Sequence, residues 1–298
     1  RSIYPDDGQS AELLLQQADM ALYGAKTRGR NEVVFFGEAT ELKSFQQKAH
    51  LRSLLSQAIT TRSIQVAYQP IIDTRTGRTV GAEALARWER IGHGWISPGT
   101  FVPLAENMGL IEELGKQVLE SALEQLSRWR GQGFHLKLSV NISVRQLFKF
   151  DFLSDLLQLT ARNGVHPGQL VLEITESQTL LGSISEAQRL EELSENGFLL
   201  SIDDFGQGYS SLSSLHELPV NELKIDMKFV RNLHTEKGRR ILHAIVDMTK
   251  MLGLETVAEG VEEKEHVTAL RKMDVDRLQG FYFSPPLLAP EFFEFLRR

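Results

Sequence analysis

The sequence has 298 residues, room for one large domain or two ordinary ones at roughly 100–200 residues each. Apolar residues make up 42% and charged residues 24%, enough to build a sizeable core, while a net charge of −6 argues against a DNA or RNA polymer held by bulk positive charge. The absence of Cys excludes disulfides, thiolate zinc and Cys nucleophiles, and no apolar run approaches the roughly 18 residues that span a bilayer, so a soluble, cytoplasmic piece without membrane contact of its own is expected, whether or not its parent is membrane-anchored.

Residues 10–26 predict one helix. Ser10 suits its N-cap, and Leu14, Ala18, Ala21 and Leu22 recur at helical spacing. Gly29 suits the C-cap, and VVFF at 33–36 is a short β-type run. One helix and one strand cannot bury a core, so residues 1–36 read as the tail of a truncated domain. Residues 37–62 set Leu42, Phe45, Ala49, Leu54, Leu55, Ala58 and Ile59 among polar neighbours and predict an amphipathic linking helix.

Residues 63–298 form the third segment. Eight β-type runs follow, at 65–72, 79–88, 136–143, 170–175, 198–205, 222–229, 255–259 and 277–283, with helical patterns clearest at 111–130 and 238–252. Strands alternating with helices predict an α/β fold with a mostly parallel sheet, and eight of them predict a closed (β/α)8 TIM-like barrel. Only residues 73–78 separate the first two strands, too few for a right-handed crossover. One strand of that pair is therefore expected to run antiparallel to the rest.

Strand side chains alternate between faces. In LKLSVNIS, Leu136, Leu138, Val140 and Ile142 suit the outer helices, so Ser139 and Asn141 point into the barrel. The same counting sends Val171 and Glu173 inward, then Ser201 and Asp203, then Lys224 and Asp226, with Met227 and Phe229 outward. Glu83, Leu85 and Arg87 share one face, and Glu259 and Gln279 sit late in their strands. Five carboxylates (Glu83, Glu173, Asp203, Asp204, Glu259) thus converge with Asn141, Lys224 and Gln279 at the C-terminal end of the strands, where barrel active sites lie.

So many carboxylates cannot all stay ionised in one cavity without cations. An oxygen-rich set with no Cys and little His suits Mg²⁺ or Mn²⁺. Asp203–Asp204 suits a bridge between two such ions, an arrangement that serves in-line phosphodiester hydrolysis. Plainer readings exist for each residue. Lys224 and Asp226 could pair with one another, Asn141 could cap a turn, and Gly81, Gly206 and Gly208 could serve turns only. The joint occurrence at one strand level is what favours a site.

GAEALARW at 81–88 resembles the signature of EAL domains, the cyclic di-GMP phosphodiesterases. The resemblance continues through QPI at 69–71, VNIS at 140–143, LEITES at 172–177, IDDFGQGYSSL at 202–212, LKID at 223–226, VAEGVE at 257–262 and QGFYFSPP at 279–286. Within residues 10–36, ADMALYGAK and GRN resemble the end of a GGDEF diguanylate cyclase domain, whose signature loop is absent here.

The resemblance implies metal-dependent hydrolysis of cyclic di-GMP to linear pGpG with two Mg²⁺ or Mn²⁺ ions per site. It implies Glu83, Asn141, Glu173 and Asp203 as ligands of the first ion, and Asp203, Asp204 and Glu259 as serving the second or its water. A general-base role for Glu259 is the alternative. Lys224 would contact the attacking water and Gln279 would support the site. Arg87 would grip a substrate phosphate beside Leu85, and Gln69 would contact a guanine or position the substrate. Glu176 would brace the loop at 204–211, including Ser210 and Ser211, with Glu262 as a weaker helper. Gln207 departs from the small residue usual in that loop. A homodimer is also implied, through a short helix at 208–218 presenting Leu212, Leu215 and Leu218. A degenerate EAL domain that only binds the dinucleotide would lack metal ligands, and none is missing. An unrelated metal-dependent barrel enzyme would not explain LEITES and IDDFGQGYSSL together, and a cyclase is excluded for this chain because the catalytic half is absent.

Overall fold

The computed structural model describes residues 2–6, 9–27, 40–90, 92, 94–149, 151–176, 184–206 and 218–298. They fall into two compact units, residues 1–61 and 62–298. In the first, helix Ala11–Thr27 follows Ser10, whose Oγ accepts from the Leu13 amide at 3.3 Å, the capping role its position predicts. Helix Thr40–Thr60 completes this unit. Gly29 and the β-type run at 33–36 lie outside the described residues.

The second unit is a closed barrel. Its strands are β1 (Gln65–Asp73), β2 (Thr79–Arg90), β3 (Gly94–Ile96), β4 (Lys137–Asn141), β5 (Leu170–Thr175), β6 (Leu199–Phe205), β7 (Glu222–Ile225), β8 (Glu255–Ala258), β9 (Arg277–Leu278) and β10 (Leu287–Leu288). Around the barrel the order is β1-β2-β4-β5-β6-β7-β8-β9 and back to β1, with β3 folded onto β2 and β10 onto β1. Neighbours from β2 through β9 are parallel, and β1 is antiparallel to both β2 and β9. The antiparallel strand is thus the first. The turn that makes it is fixed by Asp73, whose Oδ1 accepts from the amide and the hydroxyl of Thr76, both at 2.7 Å.

Outward strand residues pack beneath helices as the alternation predicts. Leu138, Val140, Leu170, Leu172, Leu200, Ile202, Leu223 and Ile225 are all buried. Helix Ile111–Gly131 lays Leu114, Val118, Ala122 and Leu126 on the sheet, and helix Glu236–Met251 adds Leu242 and Val246. Each such large side chain contributes about 1.5–3 kcal/mol on burial. Gly81 serves a close approach, not a turn: a Cβ there would lie 2.9 Å from the Lys137 carbonyl oxygen on the next strand.

Two of the predicted strand runs end four or more residues early. The run at 222–229 ends at Ile225, because Asp226 caps helix Met227–Arg231 by accepting from the Lys228 amide at 2.8 Å. Met227 and Phe229 are therefore helical, and Asp226, buried as strand counting expects, also serves as a helix cap. The run at 277–283 is strand only over Arg277–Leu278. The chain then bends at Gly280, where a Cβ would stand 2.2 Å from the Val261 backbone.

Candidate active site

Lys224 is the centre of the site. It is fully buried, and its Nζ lies 3.2 Å from Glu83, 3.0 Å from Glu173, 3.3 Å from Asp203 and 2.8 Å from Glu259. Four different strands or strand ends supply these carboxylates, so only barrel closure brings them together. Asn141 Nδ2 donates to Glu83 Oε1 at 2.9 Å and to Glu173 Oε2 at 3.4 Å. Gln279 Nε2 donates to Glu83 Oε2 at 2.7 Å and to Gln69 Oε1 at 3.1 Å, and Gln69 Nε2 reaches the Ser284 carbonyl at 3.3 Å. One ammonium against four carboxylates leaves a large excess of negative charge.

The titration behaviour follows from that excess. Burial opposes ionisation of Glu83, but Lys224 and the bonds from Gln279 and Asn141 outweigh it and hold its carboxyl below the usual range. At Glu173, burial and the neighbouring Glu83 charge win over Lys224 and push the carboxyl well up. Burial raises Glu259 to about 8, against the pull of Lys224. Burial alone would lower Lys224; its carboxylate partners raise it well above its ordinary value.

Two sets of acids offer oxygens within 4.8 Å of one another: Glu83, Glu173 and Asp203, and then Asp203, Asp204 and Glu259. Asp203 belongs to both. Adjacent strand residues normally point to opposite faces, so Asp203 and Asp204 need a break in the strand to act together. The break is present. Register between β6 and β7 shifts between Ile202 and Phe205, and Asp204 takes a left-handed φ of 58°. Burial, Asp203 and a hydrogen bond with Asp226 raise the Asp204 carboxyl to about 6.

Glu176 is buried just past β5, and its Oε2 accepts from the Gly206 amide at 2.6 Å. Gly206 has φ 94°, and a Cβ there would lie 2.5 Å from the Phe229 ring. Lys228 Nζ donates to the Gly206 carbonyl. The start of the 204–211 loop is thus held at Gly206 from both sides; Gln207, Gly208, Ser210 and Ser211, with Leu212 and Leu215, lie outside the described residues. Leu218 packs on the chain's own core beside Leu223 and Ile225.

A cavity of about 210 Å³ opens beside the cluster. Gln69, Glu83, Leu85, Glu259 and Gln279 line it, joined at the mouth by Arg231, Glu262 and Phe281. Glu262 pairs with Arg231 at 2.8 Å. Arg87 lies further along β2, half-buried, donating to the Ala86 carbonyl at 2.9 Å and outside the cavity wall. Sequence reasoning missed Arg231, Met227 and Phe281. Reading 222–229 as one strand concealed the first two; recognising Asp226 as an N-cap followed by MKFVR would have revealed a helix at the mouth.

Residues 52–286 match the family described as the EAL domain. The chain is 39% identical over 292 residues to the bifunctional diguanylate cyclase/cyclic di-GMP phosphodiesterase MucR of Pseudomonas aeruginosa, covering 97% of this chain and 42% of that protein. It is 35% identical over 298 residues to the cyclic di-GMP phosphodiesterase NbdA of the same organism, covering 99% of this chain and 38% of the relative. The chain therefore spans about two fifths of the length of these curated relatives. A solved structure described as the PaMucR phosphodiesterase in a c-di-GMP complex superposes with a TM-score of 0.78 at 38% identity, covering 83% of this chain and 99% of the other. The match over most of the barrel, on top of an acid cluster assembled by that barrel, has one conclusion: this chain belongs to the EAL domain family.

Proposed function

We propose that the chain hydrolyses cyclic di-GMP to linear pGpG at this site, with two Mg²⁺ or Mn²⁺ ions. The observation that carries the reading is the pair of overlapping carboxylate triads that share Asp203. The donor set fits hard cations: it is all oxygen, it carries excess negative charge, and Glu173 Oε1 is buried without a hydrogen-bond partner. The names of MucR and NbdA and the c-di-GMP complex of the related structure support the substrate.

In this reading Glu83, Asn141, Glu173 and Asp203 hold one ion, and Asp203, Asp204 and Glu259 hold the other. Asn141 then presents Oδ1 in the place where Nδ2 now donates, a half-turn of its amide. The chemistry the ions supply when bound is polarisation of a phosphoryl oxygen and activation of water. Lys224 Nζ donates to the attacking water and balances charge as the phosphorane-like transition state builds. The Glu259 carboxylate, 2.8 Å from that ammonium, would serve the second ion and its water; as the water oxygen bonds to phosphorus the P–O3′ bond would break, with the water's proton lost to solvent and the leaving oxygen protonated. Arg87 swings from its Ala86 carbonyl contact to fork a substrate phosphate, while Gln69, Leu85 and Gln279 wall the cavity and orient the sugar-base portion. Glu176 fixes Gly206 and so the position of Asp204, and Glu262 acts at the mouth.

The same reading takes residues 1–36 as the end of a GGDEF domain, 37–62 as the link and 63–298 as the phosphodiesterase barrel, acting as a homodimer in the cytoplasm. Alignment of MucR over 97% of the chain supports the first part. Among the described residues no helix is long and apolar enough to cross a membrane.

Incubation with cyclic di-GMP and Mg²⁺ or Mn²⁺, with chromatographic separation of products, tests the activity. pGpG should appear with cation and vanish in excess EDTA. Cyclic di-GMP that is bound but recovered intact under every condition would replace hydrolysis by simple binding. Light scattering at assay concentration tests the dimer; a fully active monomer excludes a functional role for it.

A further inference from the structure

A second layer of charge lies in the barrel, beneath Lys224. Glu222 precedes Lys224 by two residues on β7, shares its inward face and is 3% exposed. Its Oε2 accepts from Arg277 Nη1 at 2.6 Å, and Arg277 Nη2 donates to Glu255 Oε2 at 2.5 Å. Lys137 Nζ lies 3.6 Å from the same Glu255 oxygen. These four residues open β7, β9, β8 and β4 respectively, so alternating charge runs inward from the N-terminal rim to Glu222. On the neighbouring strand β6, Ser201 is the register partner of Glu222.

A buried ion pair of this kind rarely stabilises a barrel more than apolar residues of the same volume would. Its effect on the layer above is more direct. Burial raises the Glu222 carboxyl while Arg277 and Lys224 favour its ionised form, and the Glu222 charge in turn adds to burial and Glu83 in raising Glu173. The two layers are electrostatically linked.

We propose that Glu222 and Arg277 are positioning residues that give the cation site a charge-neutral floor, so that Glu222 shields the cations from the half-buried Arg277 guanidinium. The proposal rests on the reading of the acid cluster as a metal site. Without the Glu222 charge, Arg277, Glu255 and Lys137 carry one net positive charge, which repels a divalent ion; the intact layer of four is neutral.

The test is calorimetric titration of Mn²⁺ into the full chain without substrate, with thermal melts to report folding. Glu222→Gln should weaken Mn²⁺ binding at least about threefold, the direction set by the net positive charge left in the layer. The double variant Glu222→Gln/Arg277→Met should return to within about twofold of wild type although it lacks both groups. A structural role alone predicts the opposite, because the double variant would be at least as impaired as the single. The proposal is overturned if Glu222→Gln leaves Mn²⁺ affinity unchanged, or if the double variant binds no better than the single. Arg277→Met leaves no uncompensated cation, so it should not weaken Mn²⁺ binding; a threefold loss there overturns the proposal even if Glu222→Gln does not fold. If the wild-type chain takes up no Mn²⁺, the metal reading itself fails and this inference with it, an outcome distinct from equal binding by all variants.

Discussion

Replacing Lys224 with Met tests the centre of the site. The substitution keeps most of the buried stem and removes the ammonium that now lies 2.8–3.3 Å from four carboxylates. At an effective dielectric of about 20, one such contact near 4 Å is worth roughly 4 kcal/mol before desolvation. The ammonium gives up several kcal/mol of hydration on burial, so the net loss is far below the gross attraction. Breaking one side of a buried ionic cluster costs about 3–5 kcal/mol. For a barrel of this size, with roughly 2–4 °C per kcal/mol, the metal-free variant should melt about 6–20 °C below wild type. Two rescues follow. Mg²⁺ should raise the melting temperature more in the variant than in wild type, because the acids there have no cation of their own. Lowering the pH towards 5 should also recover stability, since carboxyls whose folded pKa is raised bind protons more tightly folded than unfolded, and that stabilisation grows as pH falls. Melts by circular dichroism in EDTA, in Mg²⁺ and at two pH values read all three effects. A Lys224→Met chain that melts with wild type in EDTA, or gains no more from Mg²⁺, would refute the view that this ammonium holds the acids together.

Three further outcomes are expected. Glu176→Ala orphans the Gly206 amide it now receives at 2.6 Å, a loss of about 1–3 kcal/mol in loop order; turnover should fall at least tenfold and need more Mg²⁺, while cyclic di-GMP affinity in Ca²⁺ holds, and wild-type turnover at low Mg²⁺ would sink the loop-brace role. Arg87→Ala should weaken cyclic di-GMP binding by roughly 1.5–3 kcal/mol, with Arg87→Lys recovering only part, and unchanged calorimetric affinity in Ca²⁺ would make Arg87 structural. Glu259, raised to about 8, holds a proton in the metal-free chain at pH 7 that a cation must displace; Mn²⁺ binding at pH 7 should release protons, and less so at pH 9, as titrations in buffers of different ionisation enthalpy would show, whereas buffer-independent heats at pH 7 would contradict the shift at Glu259.

Most of the barrel was legible because its strands are short apolar runs with a strict period of two, and the short 73–78 link forced one antiparallel strand. That same period placed Glu83, Glu173, Asp203 and Lys224 on inward faces before any contact was known. It failed where a side chain competes with the sheet for backbone. Asp226 continues the alternation of LKID and is buried, yet its carboxylate also caps a helix, so β7 stops one residue earlier. QGFYF likewise alternates, but Gly280 lies against the Val261 backbone and the strand cannot continue. Asp204 is the instructive case within the site: period two assigns it to the outer face, and only the register shift and the left-handed backbone bring it round to Asp203 and Glu259.

The position of Lys224 bears on how such a site can exist at all. Five acids at one end of a barrel repel one another, and until cations arrive the folded state must either protonate them or supply positive charge from within. The chain does both. Lys224 satisfies four acids at once, burial pushes Glu173 well up, and burial lets Glu259, raised to about 8, hold a proton at neutral pH. An internal cation alone would leave no need for metal, and protonation alone would leave the site neutral and inert. One ammonium among four carboxylates keeps the barrel foldable while the remaining oxygens, Glu173 Oε1 among them, stay short of partners. Folding and cation binding thus draw on the same negative charge, and the division between them is fixed by a single buried side chain on β7.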